Sequence, residues 1–251
     1  VKAFLLAAGE GRRLRPLTET LPKCLVPIRG EALLGLWLRL LERHGVTDVL
    51  VNVHYLHGQV TSYLDAWPGP VKVHAVHEPE LLGSAGTVLA NRAFVEGERR
   101  FLVLYADNLT NVDLSAMLRF HESRREALTI GVTPTDRPRE KGTVVLGPSG
   151  EVIAFEEKAA EPRSNLANAG IYVTGPRLYD YLPAAVPAGG VLDFGFDVLP
   201  RMVPDVSAWR IDQYLVDIGT HAAYDRAQAD WPGLDARHDV ATAACGEGVT
   251  P

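Results

Sequence analysis

Short apolar runs alternate with amphipathic stretches for most of the chain. Val1 to Ala7 is apolar apart from Lys2 and leads straight into glycines, the pattern of a buried strand feeding a turn. Leu33, Leu34, Trp37, Leu40 and Leu41 then recur at helical spacing until Gly45 stops the helix. Val49 to Val53 predicts the next strand and Gln59 to Ala66 a helix. Val71 to Val76 and Phe101 to Tyr105 predict strands, with a helix over Ala85 to Phe94 between them. Asp113 is placed to cap a helix running to Arg125.

Beyond residue 127 the spacing tightens. Thr129 to Thr133, Thr143 to Leu146, Val152 to Phe155 and Gly170 to Val173 predict closely spaced strands, and Ala222 to Trp231 a closing helix. Repeated strand-then-helix units imply an α/β fold whose mainly parallel sheet carries helices on both faces. The second half predicts a mixed sheet with a small β insertion over the mouth of the first. Such sheets bind ligands beyond the carboxyl ends of their strands, so the loops after Ala7, Val76 and Tyr105 are the ones to inspect.

Composition adds boundaries. The 251 residues, without internal repeat or linker, predict one domain over residues 1–236 and a small, polar, Gly-rich tail over 237–251 that is expected to be flexible. A net charge of −6 argues against nucleic acid and anionic membrane as partners. No run of 18 uncharged apolar residues predicts a membrane span, and the opening apolar run is too short for a signal peptide. Cys24 and Cys245 are too few for a disulfide framework or a metal cluster, which fits a reducing, cytoplasmic setting. Homo-oligomerisation is left open.

The chemistry concentrates after the first strand, in Leu6-Ala7-Ala8-Gly9-Glu10-Gly11-Arg12-Arg13-Leu14-Arg15-Pro16-Leu17-Thr18, followed by Pro22-Lys23-Cys24-Leu25-Val26-Pro27. Two glycines two apart let backbone N–H groups converge on phosphate oxygens. Arg13 can fork onto two phosphates, and Lys23 can place a compact charge between them. The third glycine of a dinucleotide fingerprint is absent, because Leu14 stands after Gly11-Arg12-Arg13, and no GxxxxGK[ST] occurs.

This string resembles the signature of the sugar-1-phosphate nucleotidyltransferases, from Lys2 to about Trp231, and is most similar to small enzymes of the mannose-1-phosphate guanylyltransferase type. The resemblance implies a Rossmann-like core, Mg²⁺, and in-line displacement at the α-phosphate of a nucleoside triphosphate (NTP). It assigns Arg13, Lys23 and Asp107 to catalysis, and Asp107 with Asp217 to the metal. Leu6, Ala7, Ala8, Gly9, Gly11, Gly83 and Ser84 would hold the nucleotide. Glu78 would read the base, and a carboxylate, which only accepts hydrogen bonds, suits guanine. Gly142, Glu157, Lys158 and Asn168 would hold the sugar phosphate, with Gly142 letting backbone approach the ring. The sequence departs from the commoner family pattern in having Ala106 rather than glycine before Asp107.

The expected partners are therefore an NTP, with GTP favoured, and a sugar 1-phosphate, with a mannose or heptose type favoured; the products are an NDP-sugar and pyrophosphate. Alternatives are uridylyl or thymidylyl transfer to glucose 1-phosphate or another phosphorylated acceptor, and a non-catalytic module that binds sugar nucleotides. His54, His57, His74 and His77 have metal-like spacing but no acidic or sulfur partner to complete a zinc set. Lysine is rare, occurring only at Lys2, Lys23, Lys72, Lys141 and Lys158, so two lysines at family positions suggest that a compact ammonium is wanted there.

Overall fold

The structure is a computed structural model that describes residues 1–187 and 189–236. The predicted tail from Arg237 lies outside the described residues.

Four parallel strands form one side of the main sheet. Lys2–Leu6 pairs with Phe101–Tyr105 on one side and Asp48–Val53 on the other, and Lys72–His77 completes that edge. Their side chains alternate between the faces, as period two requires. Ala3 and Leu5 belong to one core, with Leu34, Trp37 and Leu41 of the helix Leu33–Arg43. Phe4 belongs to the other, with Ala85 and Val88 of the helix Ser84–Ala90. Both cores are closed, so the sheet is covered by helices on both faces. Leu41 is fully buried, and its truncation to alanine costs about 2–5 kcal/mol. The helix stops as predicted, with Gly45 at φ 72° and the Val46 N–H bonded to the Leu41 carbonyl.

The second half adds antiparallel pairing. The strand Leu166–Thr174 runs against Phe101–Tyr105 and Leu128–Pro134, and touches the hairpin Gly142–Leu146 with Val152–Glu157 through Ala167 and Thr143. Its register slips between Asn168 and Tyr172, where Ala169, Gly170 and Ile171 stand against Gly131, and Gly170 adopts φ 64°. A Cβ on Gly170 would meet the Tyr105 ring at 2.8 Å, so only glycine fits between this strand and the end of Phe101–Tyr105.

One prediction needs correction, and one strand was missed. The helix expected over Ala85 to Phe94 is an α-helix only from Ser84 to Ala90, and a 3₁₀ turn follows over Arg92–Val95. A strand at Val206–Arg210, parallel to Leu128–Pro134, was not predicted at all. Asp113 does cap its helix, accepting the Ala116 N–H at 2.8 Å.

Candidate active site

The first loop is held open from behind. Gly11 adopts φ 67°, and the Lys23 Cβ and Thr18 Cγ2 lie 3.0 Å from where its own Cβ would be. The Thr18 hydroxyl donates to the Gly11 carbonyl at 2.8 Å. Glycine is required here because the Lys23 stem passes under the loop. Lys23 thereby reaches the sheet edge almost fully buried, with its ammonium 2.8 Å from Asp107 Oδ2 and 3.8 Å from Asp217 Oδ1.

Asp107 and Asp217 are far apart in sequence but are joined by a small ribbon. Asn108–Thr110 pairs antiparallel with Leu215–Asp217, and the Ile218 N–H donates to the Asp107 carbonyl at 2.8 Å. Asn108 anchors that ribbon, with its carbonyl accepting from the Trp37 indole at 2.7 Å and its amide donating to the Ala169 carbonyl at 2.9 Å. The two acids sit together because a register fixes them.

Lys141, which the sequence motifs did not mark, donates to Asp217 Oδ2 at 2.7 Å. Burial alone would push the Asp217 carboxyl up, but Lys141, Lys23 and Arg13 together hold it below the usual carboxylate range. Asp217 Oδ1 remains buried without a hydrogen-bond partner. That free acceptor beside Asp107 fits Mg²⁺, a hard ion that takes one or two carboxylates and fills its remaining positions with phosphate and water. Among the described residues no group of three or more His, Cys, Asp or Glu side chains is arranged for a metal. Arg13 completes the cluster: a Cβ on Gly219 would lie 2.8 Å from both its guanidinium and Asp217 Oδ1.

Two cavities open from this cluster and share Arg13, Tyr105, Asp107 and Gly219 as lining. The first, about 500 Å³, is lined by Leu6, Ala7, Ala8, Gly9, Gly11, Lys23, Glu78, Gly83 and Ser84, which gathers the predicted nucleotide set. The second, about 890 Å³, is lined by Lys141, Gly142, Glu157, Lys158, Asn168 and Asp217, which gathers the predicted sugar-phosphate set.

Side-chain roles are more specific than the sequence suggested. Glu78 is no surface charge: it is 3% exposed, and its Oε1 accepts from Asn52 at 3.1 Å and Thr87 at 2.6 Å. Its Oε2 carries one long contact, from the Leu82 N–H at 3.3 Å, and keeps acceptor capacity. Asn52, which sequence reasoning missed, also accepts from the Ala7 N–H at 2.8 Å and so couples the first loop to Glu78. A lone amide inside the apolar run Val49–Val53 was the available signal. Gly83 is glycine because the Leu192 carbonyl lies 2.5 Å from where its Cβ would be, at φ 80°.

On the acceptor side, Gly142 lines the second cavity, and the Glu157 carboxylate and the Phe155 ring fill the space a Cβ would take. Burial raises the Glu157 carboxyl above its usual range, against the pull of Lys158. Asn168 donates to the Tyr172 hydroxyl at 2.6 Å and accepts the Gly170 N–H at 2.9 Å, so its amide is oriented by the bulge. Lys158 adopts φ 47° and places its ammonium 3.7 Å from Glu157 and 5.6 Å from the Phe196 ring. Cys24 is packed, as expected, and burial pushes its thiol up to about 12. Ser84 and Asp193 tie the two cavities together, hydroxyl to carboxylate at 2.9 Å. No helix among the described residues is long and apolar enough to cross a membrane.

Comparison with known proteins gives the arrangement a context. The nucleotidyl transferase family model matches residues 2–232. The chain is 31% identical to a UTP--glucose-1-phosphate uridylyltransferase of Synechocystis sp., over 96% of this chain and 69% of that protein. It is 35% identical to the mannose-1-phosphate guanylyltransferase catalytic subunit beta of Danio rerio, over 71% of this chain but only 51% of that protein. A Bacillus anthracis protein solved in complex with a sucrose matches with a TM-score of 0.82 at 24% identity, covering 94% of this chain and 96% of that one. At that identity the likeness shows the fold alone.

Proposed function

The chain belongs to the nucleotidyl transferase family, and from that premise we propose that it joins a sugar 1-phosphate to an NTP, releasing pyrophosphate. The observation that carries this reading is the meeting of two cavities at Arg13, Tyr105, Asp107 and Gly219, with Lys23 between two acids at the junction. A triphosphate in the first cavity and a phosphomonoester in the second would bring their reacting phosphates together there.

In the proposed step a phosphate oxygen of the acceptor bonds to the α-phosphorus as the bond from that phosphorus to the bridging oxygen of the β-phosphate breaks. Pyrophosphate leaves with the electron pair, and no proton transfer is needed because the attacking oxygen is already anionic. The barrier lies in bringing two polyanions together. Holding both reactants in line contributes up to ~7–11 kcal/mol in favourable cases. Mg²⁺, when bound by Asp107 and Asp217, would supply further neutralisation of the phosphate charge. Lys23 supplies a fixed cation that needs no reorganisation during the reaction, and Arg13 a planar donor fork.

GTP with a mannose- or heptose-type 1-phosphate is the favoured pair. Glu78 supports it, since it lines the first cavity and its Oε2 keeps capacity to accept from guanine N1–H or the exocyclic amine. Uridylyl or thymidylyl transfer to glucose 1-phosphate is the competing pair. Pyrophosphate release from a matrix of four triphosphates against several sugar 1-phosphates discriminates between them. Highest kcat/KM with GTP is expected; preference for UTP or dTTP removes Glu78 as a guanine reader. No release from any pair sinks the catalytic reading and leaves a binding module.

A further inference from the structure

Lys141 and Lys158 are cross-strand neighbours: Gly142 pairs with Glu157, and the next step along is a hydrogen bond from the Lys158 N–H to the Lys141 carbonyl at 3.1 Å. Both lysines stand just past the paired strands and line the second cavity. Each ammonium turns toward a separate acid, Lys141 to Asp217 at 2.7 Å and Lys158 to Glu157 at 3.7 Å. Lys158 is 56% exposed and sits beside Phe196, whereas Lys141 is 33% exposed and lies against Asp217, which also stands 3.8 Å from the Lys23 ammonium. An ammonium has three donors, so the bond to Asp217 leaves Lys141 two for a ligand.

We propose that Lys141, paired across the strands with Lys158, is a direct cationic ligand for the phosphate of the acceptor, Lys141 on the side facing the α-phosphate and Lys158 on the side facing the sugar ring. The assignment rests on the transferase reading for the identity of the anion, though not for the existence of an anion site. It gives the two ammoniums that line the second cavity one shared anionic ligand. It also gives Asp217 a second task, holding the Lys141 ammonium in the second cavity.

Calorimetric titration of the whole chain in EDTA, with inorganic phosphate and with mannose 1-phosphate as probes, tests the site without turnover. The wild type is expected to bind both, and Lys141→Met to bind them about 10–100-fold more weakly, the range for hydrogen bonds to charged groups. Lys141→Arg should recover most of the loss. Combining Lys141→Met with Asp217→Asn separates two explanations. If Lys141 only neutralises Asp217, the double variant regains wild-type phosphate affinity and the direct contact is excluded; continued weak binding supports it. Equal affinity in Lys141→Met, or no binding by the wild type, also overturns the proposal. In turnover assays Lys141→Met should raise KM for the sugar 1-phosphate at least about tenfold and leave KM for the NTP within about twofold. A merely structural role would instead lower the melting temperature and shift both. Wild-type phosphate binding without pyrophosphate release from any substrate pair would sink the transferase reading while leaving the anion site standing.

Discussion

Lys23 places an ammonium at a position that is 8% exposed, which is unfavourable unless partners compensate it, and Asp107 at 2.8 Å is the closest. Lys23→Ala and Asp107→Ala are each expected to lower turnover by at least about 100-fold, in the range of preorganised charge groups. Steady-state rates on variants with native circular dichroism check this, and near-normal rates would remove the residue from the chemistry. Glycine positions allow a cleaner structural test. Gly83 and Gly97 both hold a positive φ, 80° and 81°, but Gly83 also stands at ψ 167°, a region essentially only glycine takes, and a Cβ on it would meet the Leu192 carbonyl, while one on Gly97 meets nothing within 4 Å. Gly97→Ala therefore carries a positive-φ cost alone, roughly 1–2 kcal/mol. Gly83→Ala adds a costlier backbone and a collision with main chain, and should lower the melting temperature further and raise KM for the NTP. Equal losses in the two variants would mean that the segment around Leu192 does not press on the nucleotide loop.

The central strands and the helix Leu33–Arg43 were legible because both faces of the sheet are buried, which leaves unbroken apolar runs and a sharp helical stripe. The two acids were legible as ends of apolar runs, but the ribbon joining them was not, since three-residue strands carry no period. Val206–Arg210 was missed for a related reason: Trp209 and Arg210 are partly exposed at a sheet margin, so alternation is weak. Lys141 sits in no motif, yet it was one of only five lysines, and with Lys23 and Lys158 it puts three of the five on the site. Between elements, two histidines brace the helix Leu114–Glu122. His44 Nδ1 accepts the Ser115 N–H at 3.2 Å, which requires that nitrogen to be unprotonated, and His121 contacts Thr129 at 2.9 Å. Burial lowers both imidazoles below their usual range, despite the pull of Asp113 on His44 and Glu126 on His121. A folded-state pKa below the unfolded one means that the unfolded chain binds protons first as pH falls. Stability is thus intact above about pH 6.5 and declines below it, toward the depressed folded-state values. Melting curves from pH 8 down to pH 5 should show that decline, and a His44→Gln, His121→Gln double variant should flatten it. An unchanged slope in the double variant would place the acid sensitivity elsewhere.

At the scale of the molecule, the site lies where the parallel half meets the antiparallel half. Tyr105 and Asp107 come from the first, Gly142, Glu157 and Asn168 from the second, and Asp217 from the ribbon between them. Ligands filling both cavities would therefore hold the halves against each other, and the free energy of binding would become folding stability. Saturation at about 100 times Kd adds about 2.7 kcal/mol, and for a chain of this length each kcal/mol raises the melting temperature by about 2–4 °C. A shift of about 5–10 °C is expected with Mg²⁺ and the preferred triphosphate. The ordering among triphosphates should follow the order of kcat/KM, with GTP first if Glu78 reads guanine. Chelating the metal should remove most of the shift, because the triphosphate would then face Asp107 and Asp217 without the ion that screens them. Asp217→Asn should reduce the magnesium-dependent part and spare any part due to the cations alone. A shift identical with magnesium and with EDTA would show that Arg13, Lys23 and Lys141 hold the phosphates by themselves, and the two acids would lose their assignment to the metal.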